Sequence, residues 1–568
     1  MSFDSTLGEQ ALAARLAGWG QGWRGPVLAA LLALVAGLPG LLAMPPLDRD
    51  ESRFTQATAQ MLEQDDYVVI RFQDQPRFKK PVGIHWLQAA SVATLSTPEA
   101  REIWAYRLPS LLGAMMAAGA CAWGAEIFFG SATGLLAGAI LGASLLLSTE
   151  AFIAKTDGVL CGAVTLALAC LGRIYASSRG GAVAGRLVRL TFWLAISVAT
   201  LVKGPIGPMT VTFTALSLSI WDRKGAWLRT LGWGWGVILF AAIVGPWAWA
   251  VTVATDGGFW HAAFVGDLVP KLAGNQESHG APFGYHTLAA IVQTFPATLL
   301  LPAGLVLGWR NRTEPGVRFA LCWLVPTWMV FELTPTKLSH YGLPCYGALA
   351  WLAAAALRVP LGAGVRWTGA ILQAVVGLLL AGVSIALDQR FGNAGTLVVT
   401  VLTALAFGAA GLVGATYLVR NAPLRALAWA LPLGVLGHAA LVGLMIPNLP
   451  PLLLSQRVAA VLARAQLLPR QGIAPGPVAV AGYAEPSLVF AVGTETDLGD
   501  AAAAAAALAD NRPAVVESRE QSAFRAALQP LKVAPRLIGI VKGLDYSNGD
   551  EMTLSVYAPP MPSPEVTP

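Results

Sequence analysis

Residues 45–87 read PPLDRDESRFTQATAQMLEQDDYVVIRFQDQPRFKKPVGIHWL and follow directly on an apolar run at 26–44. The stretch holds Asp48, Arg49, Asp50, Glu51, Arg53, Glu63, Asp65, Asp66, Arg71, Asp74, Arg77, Lys79 and Lys80, in a chain of which only 12% is charged. A soluble protein carries roughly twice that share of charge. So much charge between long apolar runs reads as a loop presented at one face of a membrane by apolar scaffold. The mean hydropathy of +0.59 agrees.

Working outward, apolar runs of about 18 or more residues recur, enough to cross a hydrocarbon core of roughly 30 Å. Such spans are helical, because a helix satisfies its own backbone polar groups in lipid. The sequence predicts a polytopic α-helical membrane protein with about thirteen transmembrane helices between 26–44 and 426–446. The nineteen Trp residues suit interfacial belts. Residues 1–25 are polar and mildly amphipathic, and the first apolar run, 26–44, is long enough to span, which predicts a cytoplasmic segment rather than a signal peptide. A net charge of +6 without a basic block argues against nucleic acid. The five cysteines show no CxxC spacing, so no zinc frame is indicated.

Arg-rich short loops orient the spans with one set of loops in the cytoplasm. The opposite set, including 45–103, 150–157, 254–286, 334–340 and everything after 446, then faces outward, into the periplasm of a bacterium. Residues 51–64 have apolar positions at helical spacing and predict a helix lying in the interface. Residues 82–96 predict a second surface or re-entrant helix. From 447 to 558 the composition changes to short strands around an alanine-rich helix, with a strand pair joined near Ser547-Asn548-Gly549. That predicts a small α/β domain, with a disordered tail at 559–568.

Several outer loops hold a lone lysine: Lys155, Lys203, Lys271 and Lys337. These read either as snorkelling residues at helix ends or as a site for an anion. Asp50-Glu51-Ser52-Arg53 reads as helix capping or as a catalytic carboxylate pair, with Arg53 placed for a phosphate. Lys79-Lys80-Pro81 reads as a contact with anionic lipid or as a cradle for a leaving phosphate, whose developing charge lysine would neutralise. Lone histidines such as His85 and His340 read more often as satisfied structural residues than as ligands. Asp157 reads as a cap or as an outer-facing carboxylate. No HExxH, P-loop or GxSxG pattern is present.

In this order, the DE-x-R helix, the KP pair, T-D, K-G-P and TK-x-x-HY resemble the aminoarabinose transferase-like glycosyltransferases, relatives of the protein O-mannosyltransferases. The motifs fall within residues 20–350. The resemblance implies a GT-C fold and an enzyme of the inner membrane. Its partners would be membrane lipids, a polyprenyl phosphate-sugar donor and an acceptor such as lipid A or another envelope glycolipid. The implied sugar is 4-amino-4-deoxy-L-arabinose. On that pattern Asp50, Glu51 and Asp157 are catalytic, while Arg53, Lys79, Lys80, Lys203 and Lys337 bind the donor phosphate. His85, Lys271, His340 and Tyr341 contact substrate. A divalent metal at the phosphate is the one cofactor implied, although Lys79 stands where the family carries Glu. Ile84-His85-Trp86 also departs from the family's aromatic pair. A protein O-glycosyltransferase and a lipid flippase are the competing readings. The flippase is disfavoured because transporters put ionisable groups near the midplane.

Overall fold

The computed structural model describes residues 3–270, 280–473 and 476–560. Among them, eight helices are long and apolar enough to cross a membrane: Arg24–Ala43, Ile103–Phe129, Thr156–Ser177, Trp233–Ala254, Pro315–Leu333, Ala363–Phe391, Leu397–Val419 and Pro423–Asn448. The chain is a multi-pass membrane protein. The remaining predicted spans are shorter or broken. Ser131–Gly142 stops where Ser144 caps a six-residue helix, its hydroxyl accepting from Leu147 N. Arg186–Lys203 and Ile206–Asp222 are 18 and 17 residues, parted by Gly204.

Small residues bring the scaffold helices close. A Cβ on Gly113 would lie 2.6 Å from the backbone of Gly158, and one on Gly162 would lie 2.4 Å from the Gly113 carbonyl. This close crossing of Ile103–Phe129 on Thr156–Ser177 is the small-residue packing that lipid-embedded helices use. It fixes the outer end of the second helix, where Asp157 sits.

Residues 479–558 form a five-stranded sheet in the order 497–499, 479–481, 514–517, 551–558, 536–544. The first three strands are parallel and the last two antiparallel. The predicted strands and the alanine helix, Ala501–Ala509, are present; the edge strand 497–499 was not anticipated. Most of the predicted disordered tail, 561–568, lies outside the described residues.

The helix predicted over 51–64 runs Arg49–Gln64, and that over 82–96 runs Gly83–Leu95. The first does not lie free in the interface. Phe54, Ala57 and Met61 are buried, but so are Gln56, Thr58 and Gln60 on other sides. The C-terminal unit covers it: Gln56 Nε2 donates to Thr494 Oγ1 at 2.8 Å, and Arg49 pairs with Glu485 at 3.3 Å.

Candidate active site

Asp48 caps the helix Arg49–Gln64 by accepting from Glu51 N at 3.0 Å. That start places Asp50 and Arg53 one turn apart. Asp50 Oδ1 receives Arg53 at 3.3 Å and Arg77, which follows the hairpin at 71–76, at 3.5 Å. Burial by itself would raise the Asp50 carboxyl, but Arg77, Arg53 and Lys155 outweigh it and hold it below the usual range. The side chain keeps 48% exposure, so an ionised, accessible carboxylate sits between two guanidinium groups.

Glu51, the second predicted catalytic carboxylate, faces the other way. It forms a two-pronged ion pair with Arg107, at 2.7 and 2.9 Å, with both side chains 1% exposed. It also accepts from Ala154 N at 2.8 Å. Arg107 donates further to the carbonyls of Gly40 and Met44, at the end of the first span. The pair ties three segments together. His85, the predicted substrate contact, is 1% exposed and stacks on Phe54 at 5.3 Å. Gln88 Nε2 donates to the Ala154 carbonyl, so its Oε1 accepts from Thr58, and Thr58 in turn accepts from His85 Nδ1 at 2.8 Å. Burial, helped by Arg77, pushes the His85 ring down to about 3. It is a neutral strut between the two surface helices.

A second cluster lies at the start of Thr156–Ser177. The cap residue is Lys155, not Asp157. Lys155 Nζ bridges Asp48 at 3.1 Å and Glu150 at 3.2 Å. Burial opposes its charge, yet Glu150, Asp48 and Asp157 hold the ammonium above the usual lysine range. Asp157 Oδ1 takes Lys203 Nζ at 2.5 Å. His340 stands 3.8 Å from both Glu150 and Asp157, too long for direct hydrogen bonds. Burial pushes it down to about 3, against the pull of Asp157. Lys203 ends its helix because Gly204 adopts φ +61°, a conformation that glycine takes without strain. Its ammonium lies 5.5 Å over the Tyr341 ring.

Two cavities meet here. One, of about 340 Å³, is walled by Leu160, Ile206, Met209, Phe259, Trp260, Phe264 and Phe331, with Lys79, Lys80, Lys203 and Tyr341 on its lining. Lys80 pairs with Asp267 at 3.3 Å. The other, of about 970 Å³, is a polar cleft between the first loop and the C-terminal unit, lined by Arg53, Arg77, Lys79, Gln60 and Arg512 among others. Lys79 and Asp267 belong to both.

Of the predicted phosphate ligands, Lys337 is not in this set. It is 6% exposed and donates to the Thr334 carbonyl at 2.7 Å, closing the end of Pro315–Leu333. Lys271 lies outside the described residues. The donor set at the cavity does not suit a divalent metal: a cation, Lys79, occupies the position of the implied ligand, and Asp267 is taken up by Lys80. Among the described residues, no group of three His, Cys, Asp or Glu side chains is arranged to hold a metal ion.

No family model matches the chain. A Pectobacterium carotovorum (strain PC1) protein is 30% identical over 310 residues, 54% of each chain. A Pseudomonas aeruginosa (strain UCBPP-PA14) protein is 29% identical over 417 residues, 69% of this chain and 72% of its own. Both are named undecaprenyl phosphate-alpha-4-amino-4-deoxy-L-arabinose arabinosyl transferase. The chain matches little more than half the length of the first of these relatives. The structure superposes on ArnT from Cupriavidus metallidurans bound to undecaprenyl phosphate with a TM-score of 0.72 and 20% identity, over 93% of this chain and 97% of that one. The chain is similar to proteins named aminoarabinose transferases, and it shares the GT-C fold of the ArnT structure.

Lys80, Lys203 and Tyr341 line one cavity, with Asp157 paired to Lys203 and His340 beside it. Asp50 and Arg53 stand at the adjoining cleft. Sequence reasoning passed over Arg77, Arg107, Glu150 and Asp267 as site residues, and gave Lys155 no role beyond its lone charge. Arg107 carried a signal: an arginine in an apolar run needs a buried counter-charge. Arg77 and Asp267 carried none, since each depends on a partner distant in sequence.

Proposed function

We propose that the chain transfers a sugar from a polyprenyl phosphate donor to a phosphate-bearing envelope glycolipid such as lipid A, at the periplasmic face of the inner membrane. The observation that carries this reading is the apolar cavity bordered by Lys79, Lys80 and Lys203 and opening onto a polar cleft. An isoprenoid tail suits the apolar wall and its phosphate the lysines. The acceptor enters from the cleft. The relatives' names supply the donor class, with 4-amino-4-deoxy-L-arabinose as the sugar. The arginine-rich loops support a cytoplasmic N-terminus and a periplasmic C-terminal unit.

The bond between sugar C1 and the donor phosphate oxygen breaks, and an oxygen of the acceptor phosphate bonds to C1. The departing polyprenyl phosphate takes the electron pair, and its charge is met by Lys80 and Lys203. Both lysines already hold carboxylate partners, Asp267 and Asp157, which keep them aimed until phosphate competes for them. The acceptor phosphate is already ionised, so no proton need be removed. Asp50 orients it through Arg53 and Arg77 and stabilises positive charge on the sugar.

Purified protein incubated with undecaprenyl phosphate-sugar and lipid A is expected to yield lipid A heavier by one sugar, read by mass spectrometry. Transfer to peptide alone would make the protein O-glycosyltransferase reading correct. Lys80→Ala or Lys203→Ala should weaken undecaprenyl phosphate binding by about tenfold to a hundredfold, the worth of one charged hydrogen bond. Unchanged affinity in both would move the phosphate elsewhere. The pH profile gives a further check. Because Arg77 and Arg53 hold the Asp50 carboxyl below the usual carboxylate range, its active ionised form persists as pH falls and is lost only on the acid side of that range. An acid limb near neutrality would assign the limiting group to another residue.

A further inference from the structure

The C-terminal unit lends one wall to the polar cleft through Glu495, Asp497 and Arg512. That wall is fixed in place by side chains of the first loop. Thr494 Oγ1 accepts from Gln56 Nε2 at 2.8 Å and Arg101 Nη2 at 3.0 Å, and donates to Glu63 Oε2 at 2.6 Å. Gln73 Nε2 donates to the carbonyls of Thr494 and Thr496 at 3.1 and 2.6 Å. Arg101 is buried and pairs with Glu63 at 2.5 Å. The Thr494 hydroxyl and the carbonyls of Thr494 and Thr496 are thus given over to anchoring, which preorganises the Glu495 and Asp497 side chains beside them.

Charge is unevenly divided across the cleft. Arg53, Arg77 and Lys79 stand on the membrane-domain side with Asp74 and Asp267, a slight cationic excess. Two carboxylates and one guanidinium stand on the C-terminal side. Arg512 is only loosely held, 3.4 Å from the Pro477 carbonyl and 3.9 Å from Asp510. A wall with a carboxylate excess repels an anion but accepts hydroxyl and amide protons, while its guanidinium donates to their oxygens. We propose that Glu495, Asp497 and Arg512 hold the saccharide of the acceptor headgroup, so that its anionic group is turned toward Arg53 and Arg77. The C-terminal unit is then the specificity element for a glycolipid acceptor. This rests on the acceptor reading above.

The test is steady-state transfer by the full-length protein in detergent, with lipid A as acceptor and donor and acceptor varied separately. Arg512→Ala and Asp497→Asn are each expected to raise the acceptor KM about tenfold, the worth of a lost charged hydrogen bond. The donor KM should stay within about twofold and the melting temperature should not move. An unchanged acceptor KM overturns the proposal, as does a parallel rise in both KM values with a lowered melting temperature, which marks a structural prop. Wild-type protein that modifies peptide but not lipid A overturns the acceptor reading and this inference with it. Wild-type transfer that the variants leave untouched overturns this inference alone.

Discussion

Asp50→Asn is expected to lower sugar transfer by about a thousandfold, within the range for loss of a positioned catalytic carboxylate. The substitution keeps the side-chain volume and one acceptor oxygen, so the helix start capped by Asp48 should survive. What disappears is the negative charge between Arg53 and Arg77. Both arginines are then free to grip the acceptor phosphate harder, in an orientation no carboxylate corrects. The acceptor KM should therefore hold or fall while kcat collapses. Undecaprenyl phosphate affinity should be unaffected, because the lysines of the apolar cavity remain. Kinetics with both substrates varied separates these quantities. A variant within about tenfold of wild type would remove Asp50 from the chemistry.

The second large effect is on folding. Glu51→Gln or Arg107→Met should each cost about 3–5 kcal/mol, because each leaves one buried charge without its partner. Thermal unfolding in detergent and the monodisperse fraction on size exclusion report the loss. The double replacement should be less damaging than either single one. Both charges then leave the interior, and the amide oxygen that replaces the Glu51 carboxylate can still accept from Ala154 N. If the two losses simply add, the ion pair is not the unit of stability. Folded molecules of the double variant should also keep most of their specific transfer activity. That outcome separates a structural Glu51 from the catalytic carboxylate suggested by its neighbour Asp50.

Adjacent residues on a helix point in different directions, about 100° apart. Asp50 and Glu51 are alike in type and one position apart, yet one faces the cleft and the other the interior. Nothing local distinguishes them. The pair KP and the break KGP were legible because lysine beside proline or glycine at the end of an apolar run has few uses. Their meeting on one cavity lining follows from helix packing, not from either motif.

The amino-acid sequence by itself determined that this is a multi-pass helical membrane protein with a charged first loop and a strand-containing C-terminal unit. Hydrophobic length and helix-strand periodicity are local properties, and local properties survive in a linear reading. Its motifs also pointed to Asp50, Lys80, Lys203 and Tyr341. Only the tertiary structure decided which charges are reachable. The pairing of Glu51 with Arg107, of Lys155 with Asp48 and Glu150, and of Lys80 with Asp267 depends on segments up to 187 residues apart. A charge in a low-dielectric interior is tolerated only beside its counter-charge. Whether it serves structure or chemistry is therefore set by what the fold places next to it.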